Sequence, residues 1–119
     1  MQTAFQSAEA AETAFYEAFE HNDADAMMNV WCTDEDIECI HPLGDRLMGV
    51  TAVTDSWQSI LSGSRQLRFR IKHARRFHTD RIAIHVVYEH IAIDGRQQPP
   101  VIATNLYRFN GSFWHLVLL

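Results

Sequence analysis

One short stretch of the chain, LRFRIK at residues 67–72, marks a change of hydrophobic pattern. Before it, apolar residues recur every three or four positions, which is typical of amphipathic helices. From Leu67 onward they alternate with basic residues, which indicates a strand with one buried face and one solvated face. Helices that come first and strands that follow them predict an α+β domain.

The residues after this stretch continue the strand pattern. Residues 82–93 are a long β-branched and aromatic run, bounded by turn residues as strands usually are. Residues 101–109 and 112–119 predict two more strands, and the Asn-Gly pair between them is a strong hairpin signal. We therefore expect a mainly antiparallel sheet.

The residues before the stretch predict three helices and a short strand. Thr3 is a candidate N-cap for the first helix and Asp23 for the second, because their side chains can accept backbone N–H bonds. Pro42 is expected to end the strand. In chain order the predicted elements are a helix at residues 3–21, a helix at residues 23–31, a strand at residues 37–41 and a helix at about residues 51–62.

Composition limits the classes of function. The chain has 119 residues, which suits one domain over residues 1–119, and its 47% hydrophobic and 21% charged residues are ordinary for a globular protein. A net charge of -5 argues against nucleic-acid and anionic membrane partners. No apolar run reaches the roughly 18 residues of a membrane span, and no secretory leader is evident, so we expect a cytoplasmic location. Cys32 and Cys39 are expected to be free thiols.

Several short motifs occur in a recognisable order along the chain. They are DADAM at residues 23–27, the acidic turn at residues 34–36, HPLG at residues 41–44, and ATNLYRF at residues 103–109 followed by Trp114. In this order they resemble the nuclear transport factor 2-like superfamily, and within it the SnoaL-like domains. The resemblance implies a cone-shaped fold, with N-terminal helices packed on a strongly curved, mixed but mainly antiparallel sheet around an apolar pocket. It also implies a homodimer through the outer face of the sheet.

His41 is the first candidate catalytic residue. In members that are similar to ketosteroid isomerase, a catalytic aspartate precedes a proline at the end of this strand, and His41-Pro42 is the corresponding pair here. The chain is two residues longer between Trp31 and this proline. Histidine can act as a general base near neutral pH. The alternative is a polar residue that lines the pocket or binds a backbone carbonyl.

Asn105 is the second candidate catalytic residue. It interrupts an apolar row on one face of its predicted strand, and the resemblance places it where the isomerases carry a second acidic residue. An asparagine can donate a hydrogen bond to an oxyanion or a substrate carbonyl. The alternative is a structural hydrogen bond to a neighbouring strand or helix.

The first helix argues against ketosteroid isomerase activity. The isomerases place an oxyanion-binding tyrosine there, and the corresponding residue is Phe15, which has no hydroxyl. Tyr16 lies about 100° further around the helix and is expected to pack at its flank. Glu12 is expected to be a solvated residue at the edge of the apolar stripe.

Further predictions concern the pocket wall and metals. No cofactor and no metal are expected, since His85 and Glu89 share one face of their strand and His90 points to the other. His73 and His78 add no motif. The expected ligand-binding residues are Phe15, Trp31, Cys39, Trp57, Ala103 and Tyr107.

Three functions remain open. The first is a pocket that binds a small apolar or carbonyl-containing molecule. The second is a non-catalytic dimerisation or association module, and the third is an isomerase or cyclase that uses His41 as its base. The second rests on apolar positions expected on the outer sheet face, namely Ile102, Leu106, Trp114, Leu116 and Leu118.

Overall fold

The computed structural model describes residues 5–34 and 36–119. Within these residues three helices pack on a seven-stranded sheet. The helices are α1 (Ala8–Glu20), α2 (Ala24–Val30) and α3 (Val50–Ile60). The strands are β1 (Glu38–Ile40), β2 (Arg46–Met48), β3 (Leu67–His78), β4 (Ile82–Ile93), β5 (Arg96–Gln97), β6 (Val101–Phe109) and β7 (Trp114–Leu118).

The first helix begins later than its apolar pattern predicts. Its N-cap is Ser7, whose hydroxyl accepts a hydrogen bond from the Ala10 N–H at 3.0 Å. Phe5 lies outside the helix, and its carbonyl accepts the Trp114 N–H at 2.9 Å. A helix start at residue 3 is therefore wrong, while Thr3 itself lies outside the described residues.

The second helix begins where its cap predicts and ends one residue early. The Asp23 carboxylate accepts the Ala26 N–H at 2.9 Å, which confirms the cap. Trp31 already has extended backbone and forms a parallel bridge with Leu116 of β7. Trp31 is thereby fully buried against the sheet instead of continuing the helix.

The sheet is mixed and mainly antiparallel, and it forms the predicted α+β cone. Its strand order is β2-β1-β7-β6-β4-β3, with β5 paired to β4, and among the strands of the described residues only β1 and β7 pair in parallel. The register shifts once between His73 and Arg75, against β4, and once between Leu106 and Tyr107, against β7. Such irregularities bend a sheet and increase its twist.

The two faces of the sheet follow from alternation along β4. Ala83, His85, Val87 and Glu89 are buried and face α1, whereas Tyr88 between them is exposed on the outer face. The predicted basic row of β3 is likewise exposed on the outer face. Leu116, expected on that face, is fully buried in the core, because its cross-strand partner on β6 is Tyr107, which faces inward.

Two further expectations concern cysteines and membrane spans. Cys32 and Cys39 are free thiols, half-buried and buried respectively, as predicted. Among the described residues, no helix combines the length and the apolar character that crossing a bilayer would take.

Candidate functional site

A cavity of about 520 Å³ opens between α1, α3 and the inner face of β4 and β6. Its wall is mainly apolar and includes Phe15, Phe19, Trp57 and Ile91. His41 and Glu89 are the two titratable side chains in the lining. Apolar walls with a few polar groups are typical of small-molecule sites. A smaller depression of about 300 Å³ lies between α1 and α2, away from this pair.

Four of the expected ligand-binding or catalytic residues line this cavity, namely Phe15, His41, Trp57 and Ala103. The fold places the other four elsewhere. Trp31, Cys39, Asn105 and Tyr107 are fully buried within the core behind the cavity wall. Trp31, Cys39 and Tyr107 are therefore not part of the cavity lining, and a contact of theirs with a ligand stays a prediction.

His41 is fixed by groups from β1 and α3. Its Nε2 lies 3.1 Å from Ser56 Oγ and 3.4 Å from Cys39 Sγ, and its ring packs edge-on against Trp57. The Ser56 hydroxyl donates to the Val53 carbonyl at 2.9 Å, so its oxygen can accept from His41 when the ring proton is on Nε2. In that tautomer the lone pair of a neutral His41 lies on Nδ1.

Burial sets the protonation of this end of the cavity. It lowers the pKa of His41, because desolvation disfavours the imidazolium. Neutral His41 is the form that can accept a proton. Burial also raises the pKa of the Cys39 thiol to about 12, so Cys39 stays protonated beside it and is not a nucleophile.

Glu89 approaches the cavity from β4 and is held by α1. The Tyr16 hydroxyl donates to Glu89 Oε2 at 2.6 Å, and Asn105 Nδ2 donates to the same hydroxyl at 3.0 Å. Burial raises the pKa of Glu89, while the Tyr16 hydrogen bond offsets part of that rise. Burial and the Glu89 charge also raise the pKa of Tyr16, which keeps its proton. The cavity thus contains a carboxyl group whose pKa is raised, beside a mainly apolar wall.

Tyr16 and Glu89 are the site residues that sequence reasoning missed. The expectation that Tyr16 packs at the helix flank is wrong, because only 6% of it is exposed and its hydroxyl is part of the buried network. Asn105 makes the hydrogen bond to a helix that the sequence left open as its alternative role. The sequence signal for Glu89 was its position four residues after His85 on β4, which places both side chains on the inner face of the sheet.

A second polar cluster lies between α1 and the far end of β3 and β4. Glu12 is 7% exposed, not solvated as expected, and its two oxygens accept hydrogen bonds from His73 Nε2 and His85 Nδ1. Burial alone would raise the pKa of Glu12, but the hydrogen bonds and charges of His85 and His73 lower it. Glu9, one turn earlier on α1, contacts His78 and His85. None of these residues lines the cavity.

The fold and the cavity define a class of protein, a nuclear transport factor 2-like α+β cone that encloses a pocket between a helix and a bent sheet. The family model for the SnoaL-like domain matches residues 8–118. The chain belongs to this SnoaL-like family, which confirms the resemblance of its motifs.

Two solved structures and one plant protein are similar to the chain. A protein from Thiobacillus denitrificans, provisionally named a calcium/calmodulin-dependent protein kinase type II association domain, is 36% identical with a TM-score of 0.92, over 98% of this chain and 94% of that one. A provisionally named dehydratase of the NTF2-like family from Streptomyces avermitilis is 28% identical with a TM-score of 0.79, over 92% and 88% of the two chains. The F-box protein SKIP8 of Arabidopsis thaliana is 27% identical over 106 residues; these cover 88% of this chain but only 44% of SKIP8.

Proposed function

We propose that the cavity binds a small, mainly apolar molecule that carries a carbonyl group, and that His41 and Glu89 transfer protons to and from it. The observation that carries this proposal is the pairing of two titratable groups in one apolar cavity of about 520 Å³. Burial moves the pKa of His41 down and the pKa of Glu89 up, so one favours its basic form and the other its acidic form.

His41 is suited to accept a proton from the ligand, and Glu89 is suited to donate one to it. Nδ1 of His41 is the nitrogen available to take a proton from carbon next to a carbonyl group. Glu89 can give a proton to the carbonyl oxygen, and the Tyr16 hydroxyl on Oε2 then stabilises the carboxylate that remains. Isomerisation and cyclisation of carbonyl compounds need this combination of base and acid. The dehydratase name of the Streptomyces avermitilis relative denotes a reaction that also moves protons.

Ligand binding is tested with a neutral apolar reporter. N-phenyl-1-naphthylamine becomes fluorescent in apolar sites, and we expect it to bind the wild-type chain. Ala103→Phe fills the cavity wall and is expected to abolish the signal, whereas Ala92→Phe, on the outer face of β4, keeps it. Equal signals from both variants, or none from the wild type, would contradict a binding cavity.

A second candidate function is self-association through the outer face of the sheet. Tyr88 of β4 and Ile102 of β6 are cross-strand partners there, with exposed fractions of 38% and 63%. Adjacent exposed apolar side chains favour a contact with a second copy of the chain. The name of the Thiobacillus denitrificans relative, an association domain, supports the same candidate. Ile102 is also one of the residues that line the cavity, so a second copy bound at this face would border the cavity.

A further inference from the structure

Five side chains with metal-ligand chemistry meet between α1 and the inner face of β3 and β4, away from the cavity. Glu9 and Glu12 are three residues apart and share one face of α1. On a regular strand His73 and His78, five residues apart, would point to opposite faces. The register shift between His73 and Arg75 reverses the alternation, so both point towards α1.

His85 is the centre of this cluster and is fully buried. Its Nδ1–H is held by the carboxylate of Glu12, whose other oxygen accepts His73 Nε2 at 2.6 Å. Nε2 of His85 has no hydrogen-bond partner among the described residues, although Glu9 Oε2 lies 3.4 Å away. A buried ring nitrogen without a partner is uncommon and calls for an explanation.

The tautomer of His85 explains the missing hydrogen bond. With its proton on Nδ1, the neutral ring carries a lone pair on Nε2. That lone pair faces a carboxylate oxygen, and two acceptors cannot bond to each other. A cation between them would satisfy both. A carboxylate that holds the far nitrogen of a metal-binding histidine is the usual arrangement around such ions.

We infer that Glu9, His78 and His85 form a binding site for a divalent transition-metal ion at this edge of the sheet. Glu9 Oε2 lies 3.2 Å from His78 Nε2 and 3.4 Å from His85 Nε2. Ligands of a tetrahedral zinc ion at about 2.0–2.1 Å are separated from each other by about 3.3 Å, which agrees with both distances. Two imidazoles and one carboxylate suit zinc and its neighbours, whereas calcium and magnesium prefer oxygen ligands alone.

Access and charge complete the description of the site. The side chains of Glu9 and His78 are 45% and 44% exposed, so an ion can enter from solvent and keep a water as its fourth ligand. Arg76 Nη1 lies 3.9 Å from Glu9 Oε2 and opposes a cation there. Its side chain is 47% exposed and free to swing away, so Arg76→Ala is expected to strengthen binding of the ion.

The experiment uses the full, tag-free chain after removal of metals with a chelator. Zinc is titrated by calorimetry, and cobalt(II) is added separately to read the coordination from visible absorption. We expect one zinc ion per chain and the intense bands of a four- or five-coordinate cobalt ion. Glu9→Gln and His78→Ala change partly exposed side chains, so they should fold, and each is expected to weaken zinc binding by at least about tenfold. His90→Ala, on the outer face of β4, is the matched control and should bind as the wild type does.

Two results would overturn the inference. One is zinc binding of equal strength in the wild type, Glu9→Gln and His78→Ala, which would place any bound ion elsewhere. The other is a His85 ring that nitrogen NMR shows protonated at both nitrogens in the presence of excess zinc. In that case His85 is an imidazolium that forms ion pairs with Glu9 and Glu12, and no metal is needed.

Discussion

The Tyr16 hydroxyl donates a 2.6 Å hydrogen bond to the Glu89 carboxylate, which joins α1 to β4 across 73 positions of sequence. Asn105 of β6 donates to the same hydroxyl, so one phenol oxygen connects three elements. Buried hydrogen-bonded networks of this kind are sensitive to the loss of a single member. We therefore expect this network to affect both the free energy of unfolding and the way that free energy changes with pH.

Removal of the Tyr16 hydroxyl should destabilise the fold. Tyr16→Phe keeps the ring but leaves Glu89 and Asn105 without a buried partner, so we expect a loss of about 1–3 kcal/mol in the free energy of unfolding. Urea denaturation measures it. Tyr88→Phe is the matched control, because that tyrosine is exposed on the outer face and should change the stability little. Equal effects of the two substitutions would contradict a stabilising network.

Glu89 should make the chain less stable as the pH rises. Burial raises its pKa in the folded state above the ordinary value of 4.5, so between the two pKa values the folded chain binds more protons than the unfolded chain. The stability that protonated Glu89 contributes is complete below the unfolded pKa and is lost as the pH rises through the folded pKa. Glu89→Gln mimics the protonated form and can still accept from Tyr16.

The measurement compares unfolding of the wild type and Glu89→Gln from about pH 4 to about pH 8. We expect the wild type to lose stability relative to the variant across this range. A constant difference would mean that Glu89 titrates at the same pH in both states, against the direction that burial gives it.

His41 should be required for proton abstraction if the proposed chemistry is right. Incorporation of deuterium next to the carbonyl of small cyclic ketones, followed by NMR, detects this step without knowledge of the natural substrate. Loss of a general base typically lowers the rate by about 10²–10⁴-fold, and we expect His41→Ala to do so. His90→Ala, which lies outside the cavity, should leave the rate unchanged. Equal rates in all three proteins would remove His41 from the mechanism.

Self-association should depend on Tyr88. Position 88 pairs with Lys72 on β3 and with Ile102 on β6. Tyr88→Lys therefore places a second positive charge beside Lys72, within the proposed contact. We expect sedimentation equilibrium to show a dimer for the wild type and a monomer for Tyr88→Lys. Ser112→Lys, in the exposed β6–β7 turn, is the control and should remain dimeric. A wild-type monomer at micromolar concentration would contradict this candidate function.

Much of the fold could be predicted because its signals are local. The bounds predicted for β4 and β6, from β-branched and aromatic residues between turn residues, agree with the structure, and the Asp23 side chain marked the start of α2. The start of α1 was misplaced because Phe5 continues the apolar period although its backbone has left the helix to pair with Trp114. The apolar period shows which residues face the core, but it does not show whether the backbone there is helical.

The polar sites were harder to predict because they depend on contacts between distant elements. Tyr16 differs from the expected position by one residue on α1, which the motif spacing alone cannot resolve. His78 joins His73 and His85 on the inner face only because a single extra residue shifts the register of β3 after His73. The local sequence pattern of β3 does not indicate this shift. Strict alternation would therefore place His73 and His78 on opposite faces, whereas the folded sheet has them on the same face.

The position of β7 has a consequence for the order of assembly during synthesis. This strand lies between β6 and β1, where Cys32 N–H binds the Leu116 carbonyl and Ile40 N–H binds the Leu119 carbonyl. The β1–β2 hairpin is made early, yet it cannot join the rest of the sheet until β7 has left the ribosome. Pulse-labelled hydrogen exchange on nascent chains should therefore show the β1 amides becoming protected only with β7, whereas the β3–β4 hairpin can form beforehand. The wall of the cavity that bears His41 is thus completed last.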